Sequence, residues 1–111
     1  YGMHNWTQMK PGTVGVNPGP MMAAADCITI EIAGKGGHGA YPCLEVDPVL
    51  AAAHIITAVQ SIVSRNVRAI DSAVISLCAM QAGDMGAFSL VPSKATLVGK
   101  PCAASARKCV T

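Results

Sequence analysis

The chain has 111 residues, 51% of them hydrophobic and only 13% charged, against roughly 25% charged residues in an average domain. That balance excludes a disordered chain, which is polar and charged, and the length holds one domain of ordinary size rather than two. Eight Lys and Arg against six Asp and Glu leave a net charge of +2; the cations are scattered and poorly accompanied by aromatics, a weak footprint for nucleic acid.

Residues 1–26 are rich in Gly, Pro and Met. Pro11, Gly12, Gly15, Pro18, Gly19 and Pro20 punctuate them, so a short strand near residues 1–5 is expected to give way to turns and irregular extended chain. Residues 27–32 alternate, with Ile28, Ile30 and Ile32 on one side and Thr29 and Glu31 on the other, which predicts a half-buried strand. Residues 34–42 read as a glycine-rich loop that no regular element could hold. Asp47 is a good N-cap and Pro48 suits the first helical position. Val49, Ala52, Ala53, Ile56, Val59 and Val63 then recur at helical spacing, with His54, Thr57, Ser61 and Arg65 on the other face, so a helix is predicted over 48–66. A second strand is predicted over 73–82, ended by Gly83 and Asp84. A third is predicted over 88–91 and 95–99, bent at Pro92. The tail from Lys100 shows no periodicity.

One sheet covered by one long helix is an α+β layer. The order strand, helix, strand, strand is also most of a split βαβ unit, the ferredoxin-like arrangement, which continues with a second helix and a fourth strand. The fold class is therefore α+β, a truncated ferredoxin-like βαββ domain with an antiparallel sheet under one helix.

The five cysteines, Cys27, Cys43, Cys78, Cys102 and Cys109, are odd in number, and no two stand in C-x-x-C spacing. A secreted disulfide framework prefers an even set, so a reducing cytoplasm is expected, without a Cys-based zinc site. The longest uncharged apolar stretch, residues 48–64, is interrupted by His54, Thr57, Gln60 and Ser61 and reads as too short and too polar for a bilayer span. No basic-then-apolar signal opens the chain. Its start at Tyr1 rather than Met is read as a piece of something larger.

Residues 34–39, Gly-Lys-Gly-Gly-His-Gly, match G-x-G-x-x-G after a strand. A dinucleotide site needs the last glycine to open a helix, whereas here Pro42 intervenes and the cap comes only at Asp47. Two other readings stand: a flexible turn, or a mobile loop presenting His38 to an anion or an acyl group. In the second, glycines allow close backbone approach, and histidine can donate to developing negative charge. His4 on its own is a structural or exposed histidine, a metal ligand only if other ligands arrive from elsewhere. His54 is read as a solvated residue of the helix surface. No serine stands in a G-x-S-x-G setting.

Several ordered segments carry a resemblance. They are Gly2-Met3-His4-Asn5-Trp6, Gly12-Thr13-Val14-Gly15-Val16, Pro18-Gly19-Pro20-Met21-Met22-Ala23, Gly36-Gly37-His38-Gly39-Ala40, Asp47-Pro48-Val49, Ile62-Val63-Ser64-Arg65 and Gln81-Ala82-Gly83. Over about residues 1–99 the chain resembles the middle of the aminoacylase/carboxypeptidase metallo-amidohydrolases, in the branch of hippurate hydrolases and indole-acetyl-amino-acid hydrolases. The resemblance implies a catalytic domain with two divalent ions, zinc or manganese, and an inserted lid domain of βαββαβ order that dimerises by sheet extension. It implies hydrolysis of the amide bond of N-acyl amino acids. It makes His4 a metal ligand and His38 the lid histidine that stabilises an oxyanion. It aligns Ser89 with an asparagine that helps bind substrate; serine is shorter and has no amide.

By the same resemblance, residues 1–26 leave the catalytic domain and residues 27–99 form the lid. The remaining metal ligands and the catalytic glutamate pair would lie outside the segment, so no hydrolysis is expected from this chain alone, and no tight metal binding. A non-catalytic dimerisation or interaction module with the lid fold is the alternative. In residues 100–111 the family's Thr-Val-Arg is replaced. A two-base shift with suitable degenerate codons reads Val-Arg-Ser-Val-Arg-Lys-Glu-Val-Arg-Asp, so the tail is read as a frameshift that also accounts for Cys102 and Cys109. Self-association is expected to cover the unfinished sheet, as a homodimer or larger assembly through the 73–82 strand.

Overall fold

The computed structural model describes residues 2–19 and 21–103. In chain order the elements are β1 (Ala24–Ala25), β2 (Ile28–Ala33), β3 (Gly37–His38), a 3-10 turn (Pro42–Leu44), α1 (Pro48–Ser61), a π turn (Ile62–Asn66), β4 (Ala73–Ala82), β5 (Leu90–Val91) and β6 (Lys94–Ala103). This is an α+β fold of antiparallel sheets with one helix. Residues 2–5 form no strand; the glycines and prolines that follow leave them without a neighbour to pair with. Tyr1, Cys109 and the rest of the tail from residue 104 lie outside the described residues.

The main sheet is built around β6. On one side it pairs with β2, from Ile28 opposite Gly99 to Ala33 opposite Lys94. The short β1 continues that side, with Ala24 opposite Ala103 and Ala25 opposite Cys102. On the other side β6 pairs with β4, from Ala73 opposite Ala103 to Ala82 opposite Ala95, with a bulge at Cys78. The predicted strand 95–99 is therefore too short, because Lys100–Ala103 all pair with β4, and Cys102 and Ala103 with β1 as well. Pro101 has no N–H to give a central ladder. The flanking strand is broken opposite it, and there the Asp26 N–H donates to the Pro101 carbonyl at 3.1 Å.

The predicted bend at Pro92 is a change of sheet. Leu90–Val91 leave the main sheet and pair with Gly37–His38, so the third predicted strand is two strands in two sheets. Pro92 lacks the N–H that would carry one ladder through both.

Asp47 caps α1 as its position predicts: its carboxylate accepts from the Val49 N–H at 2.7 Å and the Leu50 N–H at 3.2 Å. Such a cap contributes about 1 kcal/mol. The helical path runs to Asn66 as expected, but its last five residues are a π turn. Pro48 and Ala52 are buried, and Ile55 and Ile56 pack on the core with them. Ala53, expected inward, is exposed and Ile55 replaces it, because the 48, 52, 55, 59 row keeps the 3.6-residue period while 53 drifts off it. His54 is exposed, as read.

Across 48–66 the helix is long and apolar enough, at mean hydropathy 1.2, to cross a membrane by length and composition. The expectation that this stretch is too short and too polar is not met by length and composition, because the helical path continues past Ser64 to Asn66. Its inner face is occupied by the sheet: Ala52, Ala95 and Leu97 are fully buried, ringed by Ile30, Ile32, Ile55, Ile56, Leu77 and Ala82. A helix that covers a sheet explains the same apolar composition.

Candidate functional site

The glycine-rich segment is more ordered than its composition predicts. The Lys35 and Val46 backbones exchange hydrogen bonds at 2.9 and 3.1 Å, and Gly37–His38 form β3 against Leu90–Val91. None of Gly34, Gly36, Gly37 and Gly39 has positive φ. Two are needed for close approach instead. A Cβ on Gly36 would stand 2.7 Å from the Val91 carbonyl oxygen, and one on Gly37 would strike the Glu45 carboxylate. The segment opens no helix after Gly39; it runs through a bend into the 3-10 turn. The helix-terminal phosphate cradle of a dinucleotide site is thus absent from these residues.

His38 sits on this two-stranded ribbon with its side chain exposed. The Ala40 N–H donates to His38 Nδ1 at 3.1 Å. In the neutral ring one nitrogen accepts and the other carries the proton, so Nε2 is the donor. The Tyr41 N–H donates to the His38 carbonyl at 2.8 Å, and the two rings meet at 5.9 Å with a 60° tilt. These contacts order the imidazole without burying it. Exposed apolar side chains at Tyr41, Phe88 and Leu90 flank the ribbon.

Ser89 arrives at the same place from more than fifty positions along the chain. His38 faces Leu90 in the ladder, and the Gly39 N–H donates to the Ser89 carbonyl at 2.8 Å. Two of the three expected site residues are therefore neighbours. The third, His4, is on the N-terminal segment. Its Nδ1 donates to the Asn5 carbonyl at 2.6 Å, and its ring packs edge-on against Trp6 at 6.2 Å. It lines a shallow concavity of about 330 Å³ with Trp6, Met9, Gly15, Val16, Asn17, Met21 and Met22, without a residue of the ribbon. Among the described residues no three His, Cys, Asp or Glu side chains come together as metal ligands. The described residues do not by themselves fit a two-metal centre.

Sequence reasoning missed Tyr41, the Ala40 N–H and Glu45. Tyr41 follows His38 by three residues and gave no motif. The role of Glu45 depends on a contact with Gly37 that only folding creates.

The fold and the ribbon define a small α+β domain that presents a histidine donor on a two-stranded ribbon. Residues 24–100 match the peptidase dimerisation domain, and the chain belongs to that family. It is 42% identical over 99 residues to the N-acetylcysteine deacetylase of Bacillus subtilis (strain 168), covering 89% of this chain and 26% of that protein. It is 43% identical over 97 residues to the hippurate hydrolase of Campylobacter jejuni, covering 87% and 25%. With an IAA-amino acid hydrolase of Arabidopsis thaliana it shares 37% over 99 residues, covering 89% and 22%. The chain thus spans about a quarter of the length of these relatives. The crystal structure of a provisionally assigned aminohydrolase from methicillin-resistant Staphylococcus aureus superposes with a TM-score of 0.75, at 22% identity, over 80% of this chain and 22% of that one. The α+β fold is the one that this neighbour carries.

Proposed function

We propose that this chain is the lid and dimerisation segment of a metal-dependent amidohydrolase of N-acyl amino acids, hippurate-like in class, and that it does not hydrolyse them alone. The observation that carries the reading is His38, held as an Nε2–H donor on a ribbon beside Ser89. The names of the relatives support the substrate class. His38 donates to the amide carbonyl oxygen of substrate as that oxygen gains negative charge, an interaction worth more in the transition state than in the ground state. The Ser89 hydroxyl offers a shorter polar contact where the family's asparagine stands. His4 supplies one ligand of a zinc or manganese centre whose other ligands come from the rest of the enzyme. The four described cysteines are free, in keeping with a reducing, cytoplasmic setting.

The test is a graft. The matching residues of the N-acetylcysteine deacetylase are replaced by this segment, and hydrolysis is measured with zinc and with manganese. The grafted enzyme is expected to turn over N-acyl amino acids, and the isolated chain is expected not to. A folded graft without activity would count against the proposal.

Association through β4 is the second part of this reading. All ten residues of β4 are uncharged, and among the described residues its outer edge has no partner. Such an edge recruits another strand, and lysines on it prevent that. Val74→Lys with Ala79→Lys is expected to turn a dimer into a monomer in light scattering at micromolar concentrations. An unchanged mass would place the interface elsewhere.

A further inference from the structure

We propose that Glu45 is a positioning residue: its side chain, laid across Gly37 from the turn that leads into α1, holds the β3–β5 ribbon where His38 donates. The backbone of Glu45 is pinned on both sides. Its N–H donates to the Pro42 carbonyl at 3.3 Å, Val46 is tied to Lys35 by two hydrogen bonds, and Asp47 caps the helix. The side chain therefore projects from a fixed base. It reaches Gly37 closely: a Cβ there would stand 2.9 Å from Glu45 Cδ and 3.0 Å from Cγ. On the neighbouring residue, Gly36, the approach is from the Val91–Ser93 backbone. The β3 backbone is thus held between the Val91–Ser93 backbone and Glu45, and His38 is the next residue along it.

One further observation says what Glu45 contributes. Its Oε2 is shut off from solvent and has no hydrogen-bond partner. Burying an unpartnered polar atom costs stability, so the carboxylate is not retained here for a polar bond within the chain. What remains is length. Cγ, Cδ and Oε1 all lie against Gly37, so a side chain cut back to Cβ loses the contact. Glu45 makes no hydrogen bond or ion pair with the imidazole; it acts through the backbone of Gly37. The inference rests on the reading of His38 as a donor, but its readout does not depend on activity.

The experiment uses the whole chain, labelled with ¹⁵N, at about pH 9, where imidazoles are neutral. Long-range proton–nitrogen spectra then distinguish a single tautomer, with one protonated and one bare nitrogen, from a rapidly exchanging mixture whose two shifts converge. Wild-type His38 is expected to show the Nε2–H tautomer. Glu45→Met keeps the reach without the orphaned oxygen; it is expected to keep that tautomer and to raise Tm. Glu45→Ala removes Cγ, Cδ and both oxygens from Gly37, and the two His38 nitrogen shifts are expected to converge. Unchanged α1 amide shifts confirm the fold of each variant. Convergence in Glu45→Met, or an unmoved His38 in Glu45→Ala, overturns the proposal. An inactive graft with these spectra as expected would overturn the reading of function and leave Glu45 in its place.

Discussion

His38→Ala in the grafted hydrolase is expected to lower kcat about 10²–10³-fold, the loss typical of removing one donor to an oxyanion. KM is expected to stay within about threefold, because the bond is made as the carbonyl oxygen becomes charged and not when substrate binds. The geometry supports that split. Nδ1 is occupied by the Ala40 N–H, which leaves Nε2–H as the single donor of the ring. His38→Gln, which can still donate from its amide, is expected to recover part of the loss. The isolated segment should keep its stability in both variants, since the imidazole is exposed. A fall in kcat/KM carried wholly by KM would mean that His38 binds ground-state substrate instead.

Leu97→Ala is expected to cost about 2–5 kcal/mol, read as a fall in the urea midpoint of the chain. A domain of this size has only about 5–15 kcal/mol to lose. Leu97 is fully buried at the centre of β6, opposite Ile30 on one neighbour and Met80 on the other, and in the same cluster as Ala52 of α1. The other two residues of that buried cluster, Ala52 and Ala95, are already small, so Leu97 supplies most of the volume at that point. Truncating it leaves a cavity that the two alanines cannot fill. Val98→Ala, one residue on and facing the open side of the sheet, is expected to cost at most about 1 kcal/mol. Equal losses at the two positions would mean that α1 does not cover the sheet as described.

Short-range signals along the chain set the local elements. Alternation over Ile28–Ile32 specified a strand with one apolar face, Asp47 and Pro48 specified a helix start, and Gly83-Asp84 marked the end of β4. Each signal acts over a few residues and needs no partner. The motifs around His4, His38 and Gln81 also carried the family, because their order along the chain is itself information. Tertiary structure decided the rest. Lys100–Ala103 have no pattern of their own and become strand only because β4 pairs with all four and β1 with the last two. The glycine-rich segment looked like a flexible loop because glycine gives no positive signal for strand. It is a ribbon because Leu90–Val91 and Glu45 close on it, and only residues without a Cβ let them approach. The meeting of His38 with Ser89 has the same origin: backbone hydrogen bonds between distant segments are indifferent to side-chain identity, so the sequence does not announce them.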